Sequence, residues 1–254
     1  MANPIYQANH KGGRVGMEIN MLTKNIIEKL KNLGADVVGI GNLEELPEEV
    51  RGGLPIGISV GIVYPPKVIE DIEKHPTVEY LEWYERINVK LDEVVTKGGE
   101  HIRELGYQVR PLSRKQVSFS FDDFSSLLPH KTVATRAGIG WIGKSALLVT
   151  KEYGSAIRIS SLLTDAPLSI DSPINESLCR DCTMCTITCP GGAVTGENWM
   201  TDRLRGEYYD AKRCYDKARE LSSEYLGEEI TLCGKCIEVC PYTRRYIKGE
   251  FQSE

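Results

Sequence analysis

The chain has 254 residues, 41% of them hydrophobic and 26% charged, a balance that excludes a disordered polypeptide and is enough for a sizeable core. A formal charge of −5 speaks against a general affinity for nucleic acid. No apolar run approaches the length of about 18 residues that a membrane-spanning helix needs. Residues Met1 to Met17 carry Lys11 and Arg14 with no apolar run behind them, so they do not read as a secretory signal. The expectation is a soluble, cytoplasmic protein.

From Met17 to Leu33, apolar residues at Ile19, Leu22, Ile26, Ile27, Leu30 and Leu33 form a helical stripe closed by Gly34. The β-branched runs Ala35–Ile40 and Ile56–Tyr64, bounded by glycine and proline, are expected strands. Thr77–Leu105 has the periodicity of one long helix, which Gly98 and Gly99 should weaken or kink. Tyr107–Arg110 and the alternating Gln116–Phe121 are expected short strands. Ala146–Thr150 and Ala156–Thr164, separated by Lys151-Glu152-Tyr153-Gly154, suggest a β-hairpin. This gives an α+β layer domain on a mixed sheet over residues 1–170, followed by a cysteine-rich domain over 171–254.

Within the first domain, Ala137-Gly138-Ile139-Gly140-Trp141-Ile142-Gly143-Lys144 stands out. Glycines at this spacing let a backbone approach a flat or anionic ligand, and Lys144 could meet a phosphate. The Walker spacing fails, and no clear strand precedes the G-x-G-x-x-G match, so a plain glycine turn is an equal reading. Residues 110–144 hold Arg110, Arg114, Lys115, Lys131, Arg136 and Lys144 against Asp122 and Asp123, a local excess of positive charge suited to an anionic cofactor or substrate. His130 is a further candidate, though a histidine there is more often a hydrogen-bonding residue.

All eight cysteines lie between Cys179 and Cys240, which in a cytosolic chain points to metal rather than to disulfides. Cys179, Cys182, Cys185 and Cys189, followed by Pro190, form the C-x2-C-x2-C-x3-C-P run of bacterial [4Fe–4S] ferredoxins, whose fourth cysteine serves the neighbouring cluster. Cys233, Cys236 and Cys240 before Pro241 repeat its ending, with Ile230 where the first cysteine would stand, and Cys214 is the substitute. The expected ligand sets are Cys179, Cys182, Cys185 with Cys240, and Cys214, Cys233, Cys236 with Cys189. The alternative is two four-cysteine zinc sites, which favour paired C-x2-C knuckles and require neither a third cysteine nor a following proline.

The stretch Arg136–Lys144, the segment Leu162–Leu168 and the two cysteine motifs with Cys214 between them resemble the epoxyqueuosine reductases, and more broadly the double-cluster proteins related to reductive dehalogenases. The resemblance spans residues 129–242 best and is collinear from Ala35. It implies a nitroreductase-like, cobalamin-binding α+β domain followed by a ferredoxin-like domain with two [4Fe–4S] clusters. In that family the clusters reduce the corrinoid cobalt, which acts on an epoxide or halide while a side chain supplies a proton. Carried over, Gly138, Gly140, Trp141, Gly143 and Lys144 would lie against the corrinoid, and Gly140→Val should remove that cofactor while leaving iron in place.

The chain departs from the family pattern. Ser125 and Ser126 stand where the proton-donating aspartate is expected, and Asp122 and Asp123 are nearby but out of register, so no catalytic residue is assigned. The chain ends fourteen residues after Cys240, without the helical-repeat extension that helps many members hold tRNA. With the acidity, this makes nucleic acid an unlikely partner. The leading expectation is therefore a cobalamin- and iron–sulfur-dependent reductase fed by a flavodoxin or ferredoxin and acting on a small molecule. The alternatives are an electron-transfer or reductive-activator protein serving a partner protein, and a flavin-dependent reductase on the same fold.

Overall fold

The computed structural model describes residues 4–117 and 119–250. Helix α1 (Pro4–Asn32) ends before Gly34, whose φ of +108° turns the chain into strand β1 (Val37–Asn42). A short helix α2 (Glu48–Arg51) leads to β2 (Ile56–Val63), and α3 (Pro66–Glu70) to the long helix α4 (Val78–Glu104). Thr77 caps α4 by accepting the Tyr80 amide at 3.2 Å. Strand β3 (Val109–Pro111) follows, then the small pair β4 (Phe119–Ser120) and β5 (Ser125–Ser126), and helix α5 (His130–Arg136). Strands β6 (Trp141–Ile142) and β7 (Leu148–Val149) pair with each other, and β8 (Ile157–Thr164) is the last strand of the main sheet.

That sheet runs β1-β2-β8-β3, and every neighbouring pair is antiparallel, where the sequence suggested a mixed sheet. The expected hairpin is also replaced. Thr150 and Gly154 close a tight turn by exchanging backbone hydrogen bonds, but its two arms diverge. Leu148–Val149 turns back to Trp141–Ile142, whereas Ile157–Thr164, buried from Ser160 onward on both faces, takes an interior position between β2 and β3. Likewise, the expected strand Gln116–Phe121 is reduced to Phe119–Ser120, because Phe119 and Phe121 are exposed and have no core to face.

Alternation along β1 and β2 decides which helix goes on which face. Ile40, Ile58, Val60 and Ile62 project into the main core with α1 and α4. Gly39, Gly41 and Gly57 point the other way and admit α5 at very short range. A Cβ at Gly41 would stand 2.4 Å from the Arg136 carbonyl carbon, and one at Gly39 would stand 2.5 Å from Ala137 O. Gly98 and Gly99 have the same use. Helix α4 runs through them unbroken, against the expected kink, because hypothetical Cβ atoms there would meet Leu30 at 2.4 Å and Pro111 at 2.8 Å.

The cysteine-bearing part adds the short helices α6 (Met184–Thr188) and α7 (Arg205–Tyr208), the longer α8 (Ala211–Leu226), and α9 (Lys235–Glu238) and α10 (Pro241–Ile247). Asp210 caps α8 through the Arg213 amide at 3.0 Å, and Gly227 ends it at φ +72°. The carboxylate of Glu238 is fully buried and is matched by Lys235 and Arg244. Helix α10 is tied to the sheet domain. The Tyr246 hydroxyl donates to Tyr64 O at 2.7 Å, and the Ser155 amide donates to Thr243 Oγ1 at 3.0 Å. Among the described residues no helix is long and apolar enough to cross a membrane.

Gly41→Ala should lift α5 from the sheet. Because the obstructing atoms are backbone, the expected cost is about 2 kcal/mol or more, measured by urea unfolding. An unchanged midpoint would mean that the close approach is dispensable.

Candidate metal centre

The cysteines line two adjoining hollows. The first, of about 270 Å³, is bordered by Cys179, Cys182, Cys185 and Cys240; the second, of about 230 Å³, by Cys189, Cys214 and Cys233. Cys236 borders both. The last cysteine of each run thus faces the hollow of the other run. Cys185 and Cys189 lie on and just after α6, while Cys236 and Cys240 flank the turn from α9 to α10, so two short helices bring the runs together. Among the described residues no three His, Cys, Asp or Glu side chains converge tightly enough for a single metal ion.

Burial pushes several thiols up. Cys185 reaches about 11, from burial first and then from Cys179, Cys240 and Cys182 beside it. Cys236 is raised well above the ordinary range by burial together with Cys214 and Cys233. Burial also raises Cys214, where hydrogen bonding with Tyr209 works in the opposite direction. Such a set favours neutral thiols until a cationic metal converts them to thiolates. Nitrogen donors already meet several sulfurs: Cys179 Sγ accepts from Trp141 Nε1 at 3.4 Å and Cys189 Sγ from the Ala193 amide at 3.3 Å, while main-chain amides of Lys235 and of Tyr242 and Thr243 meet Cys233 and Cys240.

The glycine loop is built into the wall of the first hollow. Trp141 is completely buried, edge-on to Tyr242 with ring centres 4.9 Å apart. A Cβ on Gly140 would lie 2.2 Å from Val149 O, and one on Gly143 would meet Val149 at 2.8 Å and Cys179 Sγ at 3.5 Å. Gly138 is left-handed at φ +64° and packs against Ser172 O. Lys144 is buried and lines the first hollow. Gly140 and Gly143 thus admit close packing by Val149, while Gly138, Gly140 and Trp141 also border a separate hollow of about 460 Å³. The turn that follows is held by Lys131, whose ammonium donates to the carbonyl of Ala146 (φ +59°) at 2.7 Å.

The expected basic patch is largely spent inside the fold. Arg136 is buried and bonds Glu45, Ile174 O and Asn175; Arg114 pairs with Asp92 and Glu85; Arg110 donates to Val50 O. The second hollow is also lined by Tyr80, Tyr84 and Arg158, which the sequence did not single out. The Arg158 guanidinium lies 4.0 Å over the Tyr84 ring and donates to Asn88 at 2.6 Å. Burial, with Arg158 nearby, holds His130 down at about 4, and its Nδ1 lies 3.1 Å from Ser161 Oγ. Burial and Arg205 bring Lys131 to about 8. Asp123 goes the other way: the Ser125 hydroxyl bonds its carboxylate at 2.7 Å and lowers its pKa, so it stays ionised.

Residues 178–243 match the 4Fe-4S double cluster binding domain family. The chain is similar to the epoxyqueuosine reductase of Aliivibrio fischeri, 31% identical over 213 residues, 80% of this chain and 54% of the relative. It is 38% identical to that of Listeria monocytogenes over 112 residues, 44% of this chain and 29% of the relative. The chain thus spans about half the length or less of these curated relatives. Among solved structures, the fold is similar to a reductive dehalogenase described in terms of B12-dependent dehalogenation. That match has a TM-score of 0.69 and 20% identity, covering 92% of this chain and 34% of the other. It is also similar to an epoxyqueuosine reductase solved with a tRNA stem loop (TM-score 0.56, 21% identity, 88% of this chain and 66% of the other).

Two outcomes are expected. Gly140→Val should break the β6–β7 pairing and lower the metal content of anaerobically purified protein, in contrast to a loop that only touches an organic cofactor; full metal retention would contradict this packing role. For His130, the folded pKa lies below the ordinary 6.5, so the unfolded chain takes up a proton that the folded chain refuses. Stability therefore falls as pH drops from 6.5 toward 4. Between pH 7 and pH 5 the wild type should lose about 2 kcal/mol more than His130→Gln in parallel denaturant titrations.

Proposed function

We propose that the chain is an iron–sulfur oxidoreductase of the epoxyqueuosine-reductase kind, with a nitroreductase-like α+β domain over residues 1–170 and a ferredoxin-like domain over 171–254. Cys179, Cys182, Cys185 and Cys240 hold one [4Fe–4S] cluster in this reading, and Cys189, Cys214, Cys233 and Cys236 the other. The observation that carries it is the division of eight thiols between two adjoining hollows, with Cys189 and Cys240 exchanged between the runs. The donor set fits a cluster: it is all sulfur, it is spread around walls rather than drawn to a point, and it is met by N–H donors. Bound there, such clusters supply one-electron transfer at low potential.

The chain's own residues do the rest. Trp141 and the Ala193 amide orient Cys179 and Cys189 by hydrogen bonds, and Tyr209 stands against Cys214. Cys236, on the border of both hollows, makes them neighbours, as an electron relay requires. Electrons would arrive singly from an external flavodoxin or ferredoxin. The second hollow also borders the sheet domain at Tyr84 and Arg158, which is where a substrate or cofactor held by that domain would meet the relay.

Cobalamin is the cofactor this reading adds, supported by the fold likeness to the B12-dependent dehalogenase. Of the five loop residues assigned to it, Gly138, Gly140 and Trp141 border a separate hollow of about 460 Å³ and Gly143 and Lys144 border the first, with Val149 packed against Gly140 and Gly143; in this reading these five would hold the corrinoid. The proposed substrate carries an epoxide or a carbon–halogen bond, on a small molecule or on a modified tRNA. A second reading, an electron-transfer protein serving a partner, is favoured by Ser125 and Ser126, where the family pattern has a carboxylic acid, and by the ionised state of Asp123.

Anaerobic protein should carry roughly eight irons with a broad absorption band near about 400 nm, and Cys214→Ala should retain roughly half of that iron. Retention of all of it by the variant would refute the ligand sets. Cobalamin, flavin and epoxyqueuosine-bearing tRNA are then titrated separately. Binding of cobalamin supports the reductase; failure of all three to bind favours the electron-transfer protein.

A further inference from the structure

We infer that Trp141 sets the reduction potential of the cluster bound in the first hollow, through the hydrogen bond from its indole N–H to the sulfur of Cys179. This rests on the reading of Cys179 as a cluster ligand. Indole has one polar hydrogen, and when the ring is buried that hydrogen needs an acceptor. Trp141 is completely buried, and its Nε1 lies 3.4 Å from Cys179 Sγ. The acceptor is thus a sulfur that faces the first hollow.

The surrounding structure fixes this contact. Trp141 pairs with Val149 in the β6–β7 ladder and stands edge-on to Tyr242. Gly140 lets that ladder close against Val149, and Gly143 has no Cβ to meet the Val149 side chain at 2.8 Å. Three residues after the tryptophan, the buried Lys144 lines the same hollow. A hydrogen-bond donor and a cationic side chain therefore share the wall beside Cys179.

Their effect has a definite sign. Reduction by one electron, delivered by the external donor, adds one negative charge to a cluster and its thiolates, and much of it resides on sulfur. An N–H dipole aimed at that sulfur stabilises the reduced form more than the oxidised form, and so raises the potential. The donor itself is shielded from water, since the indole is completely buried, which strengthens the bond. The amide of Ala193 does the same for Cys189 in the second hollow, but a main-chain donor is not removable by a side-chain change. Trp141 is thus a side-chain handle on one cluster alone.

The test is an anaerobic redox titration of the whole chain, followed by electron paramagnetic resonance, comparing wild type with Trp141→Phe. Iron content is measured on the same samples. The expected result is wild-type iron in the variant, one reduction step moved to more negative potential, and the other unmoved. Both steps unmoved with iron intact would overturn the inference. If the variant loses iron, 3-benzothienylalanine at position 141 keeps the ring's shape without the N–H. The same negative shift is then expected, and its absence overturns the inference. A wild-type chain that holds no iron would instead refute the cluster reading on which the inference rests.

Discussion

Each cysteine run gives its last member to the hollow of the other: Cys240 faces Cys179, Cys182 and Cys185, and Cys189 faces Cys214 and Cys233. Neither run can enclose a hollow alone. Helices α6 and α9, which carry or flank these cysteines, have five and four residues and no stability of their own. The buried Glu238 with its two cations helps to hold them, and in the proposed reading the clusters close the exchange. Because Cys240 also caps α10, the exchange reaches the sheet domain through Thr243 and Tyr246.

A second chain of close contacts runs the other way, from the sheet to sulfur. Gly39 and Gly41 let α5 sit on β1; α5 leads directly into the glycine loop; Gly140 and Gly143 press that loop against Val149 and Cys179. At each step a side chain as small as a methyl group would meet protein atoms closer than ordinary van der Waals distance. The position of the Trp141 indole relative to Cys179 is therefore set by packing that begins in the central sheet. Charge follows the same economy, with Arg136 and Lys131 holding carbonyls and carboxylates of the protein itself.

Much of this was legible in the sequence. The stripe of α1, the strands β1 and β2 and the length of α4 follow from local periodicity, which packing then reinforces. Motif spacing groups the cysteines into two sets of four; in the structure seven of them border one hollow each, and Cys236 borders both. What was not legible depends on contacts far apart in the chain. Nothing local to Ile157–Thr164 says that it pairs with β2, some hundred residues earlier, rather than with its neighbour across a glycine turn. Gly98 and Gly99 read as helix breakers because their partners, Leu30 and Pro111, come from other elements. The Trp141 hydrogen bond to Cys179 was not legible, because its two partners stand 38 residues apart and belong to different motifs. Tyr209 and Arg158 carried no motif at all.

The central claim is that two iron–sulfur clusters fill the two hollows and interlock the runs. It is tested most directly by anomalous diffraction from anaerobically grown crystals, collected on either side of the iron and zinc absorption edges. The account predicts two iron centres, one in each hollow, with Cys240 on the first and Cys189 on the second. Zinc at either position, or iron in one hollow alone with Cys189 and Cys240 in their own runs, would contradict it.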